Sequence, residues 1–151
     1  MSNLSEGNHL LEALANPDTR PPALQQECQA ILDELMQRAP ALVFASLATL
    51  DGRSFAHAAA GPDPAKQQRV AALSSSLFAL SASFAKEALH SPCTYAAIST
   101  SSGSIVIVCV PTNKRMYALS TCADKTENMA MAMRLTLDTA DVLARALDRA
   151  L

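Results

Sequence analysis

The sequence predicts an α/β chain, in detail an α+β three-layer sandwich: a mostly antiparallel sheet with helices on both faces, in the order α-β-β-α-β-β-β-α. Three observations carry this reading. Two runs, "ALVFASLATL" (41–50) and "SIVIVCV" (104–110), are apolar at successive positions, so a strand formed by either must be covered on both sides. The links between successive strands are short enough for hairpins, which makes the pairing antiparallel. Three longer segments repeat apolar residues in steps of three and four, the period of an amphipathic helix.

Residues 1–21 read as an N-terminal extension to a domain spanning 22–151. Its apolar stretch "HLLEALAN" ends at Asn16-Pro17, and Pro21-Pro22 follow. The first firm helix runs from Pro22 to Arg38, where a proline in the first turn removes only an N–H that would go unpaired anyway. Leu24, Cys28, Ile31, Leu35 and Ala39 form its apolar stripe, and Gln25, Gln26, Gln29, Asp33 and Gln37 form the polar side. Pro40 stops the helix. In 41–50 the alternation places Leu42, Phe44 and Ala48 on one face and Val43, Ala45 and Leu47 on the other. Asp51-Gly52 then marks a tight hairpin of the type I′ kind. The returning strand, Ser54 to Ala60, carries mostly small or apolar side chains.

"GPDPAKQQ" (61–68) turns into a long helix over Ala65–Leu89. Val70, Leu73, Leu77, Leu80 and Phe84 predict a core-facing seam. Ser74, Ser75, Ser76, Ser81, Ala82 and Ser83 make a small-residue face, suited either to close approach of a second helix or to plain solvation. Three strands follow, "CTYAAIST" (93–100), "SIVIVCV" (104–110) and "RMYALST" (115–121), joined by turns at Ser102-Gly103 and Thr112-Asn113-Lys114. The last helix is predicted from Glu127 to Leu151, with Met129, Met133, Leu137, Ala140, Leu143, Leu147 and Leu151 as its stripe.

Composition narrows the function. A net charge of −2 leaves no basic footprint for nucleic acid, and aromatic residues are 4 % of the chain with no tryptophan, so stacking platforms are missing too. No window has the apolar length of a membrane span. The first residues lack the basic start and apolar core of a signal peptide, which predicts a cytoplasmic protein. Four glycines lie too far apart for a phosphate-cradling loop, and there is no GxSxG nucleophile elbow. Cys28, Cys93, Cys109 and Cys122 are scattered through apolar runs without zinc-ligand spacing, so no metal and no cofactor is expected. Of the three histidines only His57 falls on a predicted strand. With Asp51 as its nearest acid across a turn and no nucleophile beside them, it reads as a hydrogen-bonded strand residue. Cys93 is the most plausible reactive thiol, yet nothing basic adjoins it in sequence. An enzyme is not expected, and no catalytic residue is assigned.

The Leu47–Ala56 hairpin "LATLDGRSFA", the stretch "SIVIVCVPTNKRMYALSTCADKTENMAM" with Asn128 opening the last helix, and the order of elements together resemble the Roadblock-type domains of dynein light chains and of bacterial MglB-like regulators of small Ras-like GTPases. The resemblance spans about residues 22–150. It implies a profilin-like, five-stranded antiparallel sheet with one long helix on one face and two on the other. It also implies a homodimer joined through the middle helix and third strand, so that Ser74, Leu77, Ser81, Cys93, Thr94, Tyr95, Ala96, Ala97 and Ile98 would lie at the contact. "CTYAAIST" independently lacks charge, lysine and internal proline, so a free edge made of it would need a partner. The implied function is a non-catalytic regulator or adaptor of a small Ras-like GTPase. Arg53, Lys114 and Arg115 are candidates for the partner-binding surface. The alternative is a small-molecule sensor, with His57 as the lone polar group between Ala-rich strands. The extension before Pro21 and the serine-rich middle helix depart from the family's minimal pattern.

Overall fold

The computed structural model describes residues 22–61, 63–113 and 115–149. The elements are α1 (Pro22–Arg38), β1 (Leu42–Thr49), β2 (Ser54–Ala59), α2 (Pro64–Leu89), β3 (Tyr95–Thr100), β4 (Gly103–Pro111), β5 (Met116–Asp124) and α3 (Met129–Arg149). The sheet order is β2-β1-β5-β4-β3, antiparallel at every pairing. The order α-β-β-α-β-β-β-α is the one predicted. The N-terminal extension lies outside the described residues.

The main core lies between one sheet face and the pair α1 and α3. Leu24, Cys28, Leu32 and Leu35 from α1 meet Leu47, Val106, Val108 and Leu119 from the strands and Leu143 and Leu147 from α3. Leu32, not Ile31, completes the buried stripe of α1, while Ile31 sits at the half-buried border. A β-bulge between Leu42 and Phe44 explains a second departure. The extra residue, Val43, is exposed, and Leu42 is carried to the face of Ala45 and Leu47. Inside this layer the Thr121 and Thr136 hydroxyls are 2.6 Å apart, and Thr136 also donates to the Ala132 carbonyl at 2.7 Å.

The β1–β2 turn differs from the predicted type I′. The Gly52 N–H reaches the Thr49 carbonyl at 3.0 Å, and only Gly52 has a positive φ, +90°, so Leu50 and Asp51 form an ordinary turn closed by a left-handed glycine. The next hairpin turns at Ser101 and Ser102, and Gly103 already pairs with Thr100. β5 runs past the predicted Thr121 because Ala123 pairs with both Leu42 and Ser104, and the Asp124 N–H reaches the Ala41 carbonyl at 2.8 Å. α3 starts later than predicted, at Met129, where the Asn128 side chain accepts from the Met131 N–H at 2.8 Å.

α2 lies on the opposite face, and here the prediction is inverted. Asp63 caps it by accepting from the Lys66 N–H, and His90 closes it in the left-handed conformation. The residues turned to the sheet are Ala71, Ser74, Ser75 and Phe78, not the leucine seam. Small side chains let the helix approach, and each serine finds a partner. Ser74 is hydrogen-bonded to the Val70 carbonyl at 2.7 Å and to the Ser120 hydroxyl of β5 at 2.9 Å; Ser75 donates to the Thr49 carbonyl at 2.7 Å. Ser74→Ala strands the buried Ser120 hydroxyl and is expected to lower unfolding free energy by about 1–2 kcal/mol, measured by urea denaturation.

Candidate partner-binding face

With the serines inward, the apolar row of α2 points outward. Leu73, Leu80 and Phe84 are 70, 68 and 74 % exposed. Val70, Leu73, Leu77 and Leu80 form one wall of a groove of about 450 Å³, completed by Phe44 of β1, Ile98 of β3, and Ile105 and Ile107 of β4. The row predicted as a core seam is therefore a real stripe facing away from the chain's own core. Two helical stripes compete on α2. The inner one, Ala71, Ser74, Ser75 and Phe78, has the same spacing in smaller residues, and this was the available signal for the outward row.

The groove adjoins an open sheet edge. Among the described residues β3 hydrogen-bonds to β4 alone, and its residues are exposed except for half-buried Ala96. The other edge is treated differently. Gln29 of α1 donates to the His57 carbonyl at 2.7 Å and accepts from the His57 N–H at 3.0 Å, while Gln25 donates to the Phe55 carbonyl at 2.9 Å. These glutamines, predicted on the solvent side of α1, stand in for a neighbouring strand along β2. Among the described residues one margin is thus closed by side chains and the other is left open and uncharged.

The predicted contact residues divide accordingly. Thr94 is exposed just before β3, and Tyr95, Ala97 and Ile98 are exposed along it, with Ile98 in the groove. Leu77 and Ser81 are half-buried on α2. Ala96 and Cys93 pack inward against the cluster of Phe78, Ile107 and Ala118. Ser74 is buried with its hydroxyl held by Ser120, and it also lines the groove beside Val70 and Leu77.

Arg53 is exposed in the β1–β2 turn, 3.5 Å from Asp51. Arg115 is half-buried before β5, and its backbone N–H and carbonyl are bound by Thr112. Because Thr49 pairs with Tyr117, both arginines lie at one end of the sheet. Lys114 lies outside the described residues.

His57 and Asp51 are not brought together. The Asp51 carboxylate engages the Thr49 hydroxyl and Arg53, whereas the His57 ring stacks on Phe44 with centroids 5.8 Å apart. Desolvation, and secondarily the Lys66 charge, hold the His57 pKa below its ordinary value. A smaller cavity of about 310 Å³ opens between His57, Phe44 and Lys66. Among the described residues no three of histidine, cysteine, aspartate or glutamate converge as a metal site, and no helix is long and apolar enough to cross a membrane.

No family model matches the chain, and no curated protein matches it. Solved structures do. An MglB with a tetrameric arrangement is 20 % identical, with 88 % of this chain and 96 % of that one covered and a TM-score of 0.75. MglB of Myxococcus xanthus is 14 % identical over the same shares, with a TM-score of 0.74. A Roadblock/LC7 domain from Streptomyces avermitilis is 19 % identical over 79 % of this chain and 96 % of that one, with a TM-score of 0.69.

Proposed function

We propose, with the Roadblock-type fold as premise, that this chain is a homodimeric, non-catalytic regulator in the cytoplasm that binds a small Ras-like GTPase and modulates its nucleotide cycle. The observation that carries the reading is the outward apolar row of α2 beside the open edge of β3. A second copy fits both at once. Two β3 strands pair across a two-fold axis and extend the sheet, and two α2 helices pack row against row over the junction. Such a contact is isologous, so one surface serves both copies. The GTPase part rests on the sequence resemblance to MglB-like regulators. A regulator of this kind acts by holding the partner's switch segments in one arrangement. Arg53 and Arg115, clustered at one end of the sheet, are candidates for that contact, together with Lys114.

The test is binding of purified small Ras-like GTPases from the same cell, loaded with GDP or a non-hydrolysable GTP analogue, followed by release of a fluorescent nucleotide. The expected result is binding that prefers one nucleotide state and a changed release rate. Absence of binding in both states overturns the regulator reading. The cavity beside His57, Phe44 and Lys66 favours a second reading, a small-molecule sensor. A metabolite that raises the melting temperature of the chain, with no GTPase bound, would select it.

A further inference from the structure

On the opposite flank of α2 from the apolar groove lies another cavity, of about 460 Å³, lined by Phe78, Ala82 and Lys86 of the helix, by His90 to Cys93, and by Cys109 and Met116 from the sheet. Two of the four cysteines and a methionine therefore line one cavity, although 93, 109 and 116 form no sequence motif. The topology makes the cluster. Cys109 pairs with Ala118, which places Met116 diagonally beside it on the same sheet face. The Cys109 and Met116 sulfurs are 3.6 Å apart. Cys93, just before β3, and Cys109 each pack against the cluster of Phe78, Ile107 and Ala118, and Cys93 gives its S–H to the Tyr95 carbonyl at 3.3 Å. The other cysteines differ. Cys28 is wholly buried in the main core, and Cys122 lies on β5 away from this cavity.

From this juxtaposition we propose that Cys93, Cys109 and Met116 bind one monovalent copper ion, Cu(I), in the cavity beside the C-terminal half of α2. The donor set decides the metal. Two thiols and a thioether are soft ligands, which suit Cu(I). Zinc takes four nitrogen, sulfur or oxygen ligands, and among the described residues no third histidine, cysteine or carboxylate joins the pair. Binding is a ligand exchange without change of oxidation state: two S–H bonds break, two copper–sulfur bonds form, the protons pass to solvent, and Met116 donates a lone pair. The resulting bis-thiolate centre carries one net negative charge, and Lys86, which lines the cavity, is long enough to bring its ammonium to it. Phe78, Ala82 and Pro92 supply apolar lining beside the proposed ion.

The test uses the full reduced chain under anaerobic conditions. It is titrated with Cu(I) as its acetonitrile complex against a chromogenic Cu(I) chelator, and the sulfur-to-copper absorption in the ultraviolet is recorded. One equivalent is expected to bind. Cys93→Ser and Cys109→Ser each weaken binding by about 100-fold or more, Met116→Leu by about tenfold, and the Cys28→Ser/Cys122→Ser variant retains wild-type affinity. Cys93 precedes its strand and is only half-buried, so Cys93→Ser keeps the test readable should Cys109→Ser fail to fold. Stoichiometric binding that survives in Cys93→Ser/Cys109→Ser, or that is lost equally in Cys28→Ser/Cys122→Ser, overturns the assignment. So does the absence of binding in the unaltered chain.

Discussion

Leu80→Asp is expected to convert a dimer into a folded monomer. Leu80 is 68 % exposed within its own chain, so a carboxylate there meets water in the monomer and leaves the inward contacts of Ser74, Ser75 and Phe78 intact. In the proposed dimer the same carboxylate is placed between two apolar helix rows, without a cation to pair it. Burying an unpaired charge costs several kcal/mol, and the substitution occurs once in each copy. The dimer dissociation constant should rise by at least about 100-fold, equivalent to roughly 3 kcal/mol. Light scattering across a dilution series measures the mass, and circular dichroism checks that the helices persist. Ala79→Asp is the control: it is exposed on the same helix, off the row, and should leave the mass unchanged. A wild-type chain that is monomeric at high micromolar concentration would remove the dimer from the proposal.

The same helix shows where sequence reading stops. Period and composition located α2 to within a residue, and the row Val70, Leu73, Leu77, Leu80 and Phe84 is a genuine stripe. Periodicity reports that a face is suited to burial and does not report what buries it. The larger stripe suits the chain's own core by size, but the helix can approach β5 only with its smaller one, Ala71, Ser74 and Ser75, where hydroxyls satisfy each other and the sheet. The strand edges were half legible. The uncharged 93–100 segment reads as a margin in need of a partner, and β3 lies at the sheet edge. The other margin was not legible, because nothing in the spacing of Gln25 and Gln29 announces that their amides will pair with the β2 backbone. The Val43 bulge escaped for the reason that bulges do: a single extra residue shifts which side chains share a face without changing their composition. The Cys93, Cys109 and Met116 cluster was invisible because it depends on the β4–β5 register and on the approach to β3, neither of which a local motif encodes.

Gly103→Ala is expected to be the most damaging single-atom addition to the sheet. Gly103 has φ +151° and pairs with both Thr100 and Asp124. A Cβ built there would lie 2.1 Å from the Ala123 carbonyl oxygen and 3.0 Å from the Asp124 Cα. Both neighbours are backbone of a central strand, so no rotamer change relieves the overlap. Either β4 separates from β5 at this end or the hairpin twists. The expected cost is on the order of 3 kcal/mol, which for a chain of this length lowers the melting temperature by about 10 °C. Gly52→Ala separates overlap from backbone strain. Gly52 also has a positive φ, +90°, but its added Cβ would meet only Ala72 at 3.4 Å or more, an ordinary contact. That variant should lose about 1 kcal/mol. Equal losses at the two glycines would show that the Ala123 carbonyl yields easily and that the β4–β5 register is softer than its hydrogen bonding implies. The damage at Gly103 also travels to the proposed interface. Among the described residues β3 is hydrogen-bonded only to β4, through the hairpin that Gly103 closes, so a loosened turn lets the open edge fray. Gly103→Ala should therefore weaken self-association as well as the fold, whereas Leu80→Asp abolishes association and leaves the isolated fold in place.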